Sequence, residues 1–416
     1  EAFNADLPVK KLFSTPTIEA LCSDLGSAKK TSIYSPPSVR VVDRSLPIPL
    51  SFAQMRLWFL NQLEGGTGDY NISTSYNMPA AIRLKGSLSV TALRKAFQEL
   101  VVRHESLRTS FLVDDGKASQ IINEPGEWFM DVRDISRLES QERNAELLRL
   151  AEDEAKRSFD LESGIPSKSR RTRLMRTRLL KLAADEHVLL LTMHHIISDG
   201  WSVGVLINEV SELYRAIVEG NDPQLPPLPV QYADYAVWQR DWMSGPVLQH
   251  QLNYWQRQLD AVPVLEMPTD YPRPPAMTFS GATERIGILP ELLNKLNALS
   301  REQGVTLFMT LLSAFYILLN RYSDQSDICV GTPVANRSKP EFERLIGCFV
   351  NTLSLRTELN GGDSFLQLLQ RVRDITLEAY DHQDIPFEHL VEALGVSRNR
   401  SHSPIFQVMF TLQNAT

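Results

Sequence analysis

Apolar residues recur every three or four positions in some stretches of this chain and run unbroken in others, and the two patterns predict different elements. Leu93, Phe97, Leu100 and Val101 mark one face of a helix in VTALRKAFQELVVRHESL. Val203, Leu206, Val210, Leu213 and Ile217 do the same in SVGVLINEVSELYRAIVEG. A helix is predicted to start at Ser51 in SFAQMRLWFLNQL. Residues 1–28 read as one or two short helices, with Pro16 placed to begin the second and Ile18, Leu21 and Leu25 at helical spacing. By contrast EHVLLLTMHHI shows no alternation, as expected of a central strand buried on both faces, and it ends in the polar turn SDG. DICVGTPVA, CFVNTLSLR and FQVMFTL read as further strands. The uncharged run TLFMTLLSAFYILL (306–319) is too short to span a bilayer and predicts a buried helix.

At 416 residues the chain exceeds what one hydrophobic core supports, so two mixed α/β lobes are expected. The proline-rich NDPQLPPLPVQ (221–231) places their joint near residue 220, and KKTSIYSPPSVRVVDRSLPIP reads as a linker with a boundary near 45. The expected order is 1–28, a linker 29–45, a first lobe 46–219 and a second lobe 220–416.

Composition changes this picture little: 43% hydrophobic and 22% charged residues describe an ordinary folded protein. Lys and Arg number 43 against 50 for Asp and Glu, a net charge of −7, which excludes a general nucleic-acid footprint. Cys22, Cys329 and Cys348 are odd in number and far apart, with no CxxC pair, so neither a zinc site nor a disulfide framework is expected. A cytoplasmic setting fits, and no segment requires a membrane.

The candidate chemistry lies in HHIISDG (194–200). Adjacent strand residues point to opposite faces, so one of His194 and His195 is expected to face a cavity while the other packs inside and holds the turn. An imidazole near neutral pH can take a proton from an amine or hydroxyl as that group attacks a carbonyl, which suggests acyl transfer. Asp199 is close enough to fix the turn or orient a ring, and Gly200 would allow close backbone approach to a substrate. The plainer alternative is a pair of satisfied core histidines beside a turn. GWSVG (200–204) also matches the GxSxG nucleophile elbow, which would make Ser202 a covalent nucleophile. Against that, SDGW intervenes between strand and serine, no HGGG-like oxyanion loop occurs upstream, and Ser202 is well placed as a helix N-cap.

TMHHIISDGWS resembles the HHxxxDG motif of the condensation domains of nonribosomal peptide synthetases, including the trailing WS of amide-forming members. Six further segments resemble the family's motifs in its order: SFAQMRLWFL, RHESLRTSF, QYADYAVWQ, IGCFVNTLSLR, HQDIPFEHL and SRNRSHSPIFQ. The resemblance spans roughly residues 46–416 and implies two chloramphenicol-acetyltransferase-like lobes in a V-shaped pseudo-dimer, with an active-site tunnel between them. It implies peptide-bond formation between a donor thioester on an upstream carrier domain and an aminoacyl acceptor on a downstream one, beside an adenylation domain of the same assembly line. Substrates would arrive on phosphopantetheine arms, with no cofactor or metal held by the domain. His195 matches the histidine that assists or positions the attacking amine. His194 and Asp199 match supporting positions, Asp199 paired with an arginine of the second lobe, for which Arg337 in TPVANR is the candidate. A silent recruitment domain and an epimerase are the alternatives within this resemblance.

FNADLPVKKLFSTPTIEALCSDL resembles the last two helices of a peptidyl carrier domain, without the serine that bears the arm, and a carrier running directly into the domain favours an L-configured donor. Three departures from the family stand out. FDLESGIPSKSRRTRLMRTRLLKL carries extra residues around 165–174, expected as a solvated basic insertion. Asn399 stands where aspartate is common, and the second lobe is expected to be incomplete at its C-terminus. Arg56, Arg103 and Arg108 are expected as surface or ion-pair residues, and Trp58 and Trp238 as packing.

Overall fold

The computed structural model describes residues 17–27, 36–65, 74–114, 116–161, 174–275, 281–395 and 401–413. Pro16, Asn399 and the basic residues 165–173 lie outside that set. The chain divides into two compact units. The first comprises Ser38–Asp241 and Arg337–Val350; the second comprises Trp242–Asn336 and Asn351–Asn414 and is grouped with Glu1–Pro37. Helix α1 (Ile18–Ser27) forms where the spacing predicts it, although Ile18 is exposed.

In the first unit, β1 (Ile48–Pro49), β4 (Lys117–Ile122) and β3 (Thr109–Asp114) form one antiparallel sheet in that order. A larger sheet has the order β2 (Asn77–Lys85), β7 (Glu186–His194), β6 (Met175–Ala183), β5 (Asp131–Asp134), antiparallel except for the β5–β6 pair. The unbroken apolar run is therefore an inner strand, and every residue of β7 after Glu186 is buried. Helices α2 (Phe52–Gly65), α3 (Val90–Arg103), α4 (Ser140–Ala155), α5 (Gly200–Glu219) and α6 (Tyr232–Trp242) complete this unit's regular elements among the described residues, apart from two short 3₁₀ turns and one short helix below. Leu93, Phe97, Leu100 and Val101 of α3 are all buried, and α3 packs on α5, whose Leu206, Val210 and Leu213 face inward. Each such side chain contributes about 1.5–3 kcal/mol of transfer free energy. Ser89 caps α3 by accepting from Ala92 N, and Gly220 ends α5 at φ +72°, a left-handed conformation that glycine adopts at little cost.

The unit's borders differ from those expected. The proline-rich residues 221–231 do not separate the lobes: Gln231 accepts from Glu105 N (3.1 Å) and donates to Arg103 O (3.0 Å), and α6 then buries Tyr232, Ala233, Tyr235 and Ala236. The end of the expected linker is also part of the unit. Arg44 forks onto Asp234 (2.6 and 3.1 Å) and reaches Glu105 (3.0 Å), while Val42 N donates to the same Asp234 carboxylate (2.8 Å). Composition marked both stretches as loops; single long-range side-chain bonds decide where they belong.

In the second unit, β8 (Asp327–Val334) and β9 (Asn351–Glu358) pair antiparallel, beside α7 (Gly245–Gln258), α8 (Pro290–Glu302), α9 (Leu307–Ser323), α11 (Phe365–Asp381) and α12 (Phe387–Ala393). The connection from β8 to β9, which includes α10 (Pro340–Glu343), is the piece that belongs to the first unit. Helix α9 is buried along Met309, Leu312, Tyr316 and Leu319, with Tyr316 OH donating to Leu355 O (2.7 Å). FQVMFTL does not form the expected strand. Its ladder is a single parallel bridge, Gly331 with Met409, and the Phe406 ring fills the space a Cβ on Gly331 would need. No single described helix is long and apolar enough to cross a membrane.

Asp234 is 1% exposed, so removing its cation leaves a buried carboxylate with only amide donors. Arg44→Ala is expected to lower unfolding stability by about 1.5–3 kcal/mol, the range for hydrogen bonds to charged groups, and to open residues 38–45 to limited proteolysis. Urea unfolding and a timed digest measure both; unchanged values would contradict the latch.

Candidate functional site

Strand β7 ends at His194, and His195 opens a short 3₁₀ turn, His195–Ile197. The two histidines are thus separated by the end of a strand, not by the alternation of a continuing one. His194 is 1% exposed; its Nδ1 accepts from Ile196 N (3.1 Å), which fixes the neutral tautomer with its proton on Nε2 and holds the turn from inside. Phe159 meets its ring edge-on. Burial, reinforced by His195 and Arg176, pushes its pKa down to about 3. His195 is half-buried, its backbone N donates to Tyr76 O (2.9 Å), and its Nδ1 lies 3.6 Å from Cys348 Sγ. Among the described residues its Nε2 has no hydrogen-bond partner.

Asp199 organises the start of the helix beyond the turn. It is the N-cap of α5, its Oδ1 accepting from Ser202 N (2.8 Å) and Ser202 Oγ (2.7 Å). The same oxygen pairs with Arg337 Nη2 (3.1 Å), and Oδ2 accepts from Phe349 N (3.0 Å). Arg337 donates further to Leu345 O (2.8 Å), Phe342 O and Ser202 Oγ (2.9 Å), and its guanidinium lies 4.0 Å above the Phe349 ring centroid. Both side chains are nearly inaccessible, at 2% and 3%. Burial pulls the Arg337 pKa below its ordinary value, and the Asp199 carboxylate opposes that shift.

Residues 346–349 are held from several sides. Ser106 Oγ donates to Ile346 O (2.6 Å), Gly347 N donates to Ser202 Oγ (3.1 Å), and Tyr232 OH donates to Cys348 O (2.6 Å). Tyr232, Tyr235 and Trp238 of α6 meet Phe342 and Phe349 edge-on or tilted, at centroid separations of 4.4–5.2 Å. The fit is close enough that a Cβ on Gly347 would lie 1.9 Å from the Tyr232 ring. Gln54 Nε2 donates to Ile196 O (3.3 Å), and Ser51 Oγ shares a hydrogen bond with the Tyr232 hydroxyl (2.8 Å). Segments far apart in sequence, SFAQ, RHES, HHIISDG, QYADY and IGCFV, thus meet around one turn.

Of the candidates from sequence, His194, His195, Asp199 and Arg337 come together, with Arg337 in the first unit rather than the second. Two expectations change. Asp199, not Ser202, is the N-cap, because the helix begins at Gly200; Ser202 is fully buried and bonded to Asp199, Arg337 and Gly347, which leaves no free nucleophile. Gly200 has open space where a Cβ would point and no left-handed φ, so nothing in the protein itself demands glycine there. Sequence reasoning singled out neither Cys348 nor Tyr232, although both lie in segments it marked. Arg103 is ion-paired to Glu209 (3.0 Å) and Trp238 is packing. Among the described residues no cluster of His, Cys, Asp or Glu is placed to hold a metal.

Comparison with known proteins adds three findings. A family model described as "Condensation domain" matches residues 46–416. Two relatives are linear gramicidin synthase subunits D and C of Brevibacillus parabrevis, 47% and 48% identical across the whole chain, which spans only 8% and 5% of their lengths. Among solved structures, the X-domain from teicoplanin biosynthesis superposes with TM-score 0.78 at 26% identity, over 90% of this chain and 79% of that one. The fold is therefore the mixed α/β, chloramphenicol-acetyltransferase-like fold of condensation-domain structures.

Two outcomes are expected from this geometry. Asp199→Ala strands a buried guanidinium and is expected to cost about 3–5 kcal/mol, against about 1–3 kcal/mol for Ser202→Ala, in chemical denaturation. The His194 pKa is depressed in the folded state, so below its ordinary value of 6.5 the unfolded chain binds a proton that the folded one refuses until about pH 3. Stability is thus retained above pH 6.5 and lost as pH falls through that window, by up to about 1.4 kcal/mol per pH unit from this group. His194→Gln should flatten that slope in a pH series of unfolding curves.

Proposed function

The chain belongs to the condensation-domain family, whose members are acyl- and amide-forming transferases, and from that premise we propose that it forms a peptide bond between two carrier-bound thioesters. The supporting observation is the division of labour between the histidines. His194 is committed to the turn, whereas His195 presents a half-exposed imidazole with Nε2 unengaged among the described residues.

In this reading the acceptor's α-amine attacks the donor thioester carbonyl. A C–N bond forms, the C–S bond breaks, and the donor arm leaves as a thiol. The amine proton passes through His195 Nε2 to the departing sulfur. An α-amine has an unperturbed pKa near 8, so a useful fraction is neutral at pH 7 and needs positioning as much as deprotonation. His195 therefore acts by orientation and proton transfer together, while Asp199 and Arg337 act by holding the loop beside it. The donor comes from an upstream carrier domain and the acceptor from a downstream one, both on phosphopantetheine arms. The names of the gramicidin synthase relatives support such a setting. The intact His195, Asp199 and Arg337 set favours a working domain over a silent recruitment module.

His195→Ala is expected to keep the native unfolding curve and to reduce dipeptidyl thioester formation by about 10²–10⁴-fold, the usual contribution of a positioned acid–base group. Mass spectrometry of a downstream carrier after incubation with a loaded upstream carrier reads this directly. Full activity in the variant would overturn the assignment.

A further inference from the structure

Cys348 is 1% exposed and its sulfur is 3.6 Å from His195 Nδ1, within reach of an N–H···S hydrogen bond. Its backbone is immobilised on both sides: Gly347 N donates to Ser202 Oγ, Phe349 N donates to Asp199 Oδ2, and the Cys348 carbonyl accepts from Tyr232 OH. No Cβ fits at Gly347 against Tyr232, so the loop lies directly on the tyrosine ring there. The buried ion pair and Tyr232 thus hold the backbone on either side of the residue whose sulfur lies against the imidazole.

We infer that Cys348 is a positioning residue for His195: its sulfur accepts the Nδ1–H of the imidazole and so leaves the Nε2 lone pair for the proton of the attacking amine. This rests on the proposed role of His195 in acyl transfer. An imidazole nitrogen that is already proton-bearing and bonded cannot be the acceptor, so a partner at Nδ1 selects Nε2 as the reacting atom. A thiol is a weak, uncharged acceptor. It fixes the ring and its tautomer without placing a negative charge beside it, unlike a carboxylate partner, which would stabilise the imidazolium and hold the proton. That suits a reaction in which the amine is largely ready and the proton must be passed on to the departing sulfur. It also gives Asp199 and Arg337, neither of which is bonded to His195, a route to the imidazole: they hold the loop that carries the sulfur.

The test is a long-range proton–nitrogen NMR correlation on the full chain labelled at its eight histidines, with His195 assigned by its loss in His195→Gln. The native spectrum should show His195 protonated at Nδ1. Cys348→Ala should shift it towards the Nε2–H form, and Cys348→Ser, which keeps an acceptor and guards against a folding defect in the alanine variant, should retain the native form. In the transfer assay, Cys348→Ala should lower kcat about tenfold with KM unchanged and Cys348→Ser should recover most of it, a fraction of what general acid–base assistance supplies. An Nε2–H tautomer in the native chain, or a spectrum unchanged in Cys348→Ala, would overturn the inference. The spectrum needs no substrate, so its failure refutes the positioning role alone, whereas full activity in His195→Ala refutes the condensation reading.

Discussion

A guanidinium removed from water beside one carboxylate is the constraint on which the histidine unit depends. Desolvating Arg337 and Asp199 costs several kcal/mol per ion, and their attraction offsets that only when the remaining hydrogen-bonding capacity is also filled. Here most of it is filled, from three directions: the N-terminus of α5 through Ser202, the carbonyls of Phe342 and Leu345, and the amide of Phe349, with Arg337 Nε the one donor of the pair left without a partner among the described residues. Each of these bonds ties a different stretch of backbone to the same pair. One charged contact therefore sets where the helix after the histidines begins and where residues 337–350 are seated. It also gives a reason for a charged pair at this place, since hydrophobic residues of equal volume could fill the space but could not fix these backbone segments in register.

The histidines illustrate how adjacent residues of one type acquire different chemistry. The strand ends between them, so His194 stays within the sheet, loses its solvent and is driven neutral, while His195 enters a turn and keeps part of its ring accessible. The first stabilises the turn, and the second keeps a partly accessible ring. Tyr232, Gly347 and Cys348 extend this arrangement, because the aromatic wall that holds the loop also brings a sulfur to the ring.

Much of this was legible in the sequence where the physics is local. The unbroken apolar run of β7, the faces of α3 and α5, and the turn after HHII are set by periodicity and cap chemistry. The resemblance pointed to His195, Asp199 and Arg337, and the structure pairs Asp199 with Arg337. What escaped is non-local. Residues 38–45 and 221–231 have loop-like composition, and 337–350 lie between two strands of the second unit; bonds across more than a hundred positions, those of Arg44, Gln231 and Arg337 among them, tie all three to the first unit. Ser202 and Asp199 both suit a helix start by type, and the choice turns on the residue at which the chain leaves the 3₁₀ turn. FQVMFTL has strand composition, but its ladder is one bridge at Gly331.

The Asp199–Arg337 pair, and not local loop preference, holds residues 346–349 against the histidine turn. Native-state hydrogen exchange at individual amides tests it most directly, comparing the native chain with Asp199→Asn. In the variant Gly347 and Phe349 are expected to lose protection by about tenfold or more, the equivalent of about 1.4 kcal/mol of local opening, while the amides of β7 keep theirs. Unchanged protection at Gly347 and Phe349 would contradict it.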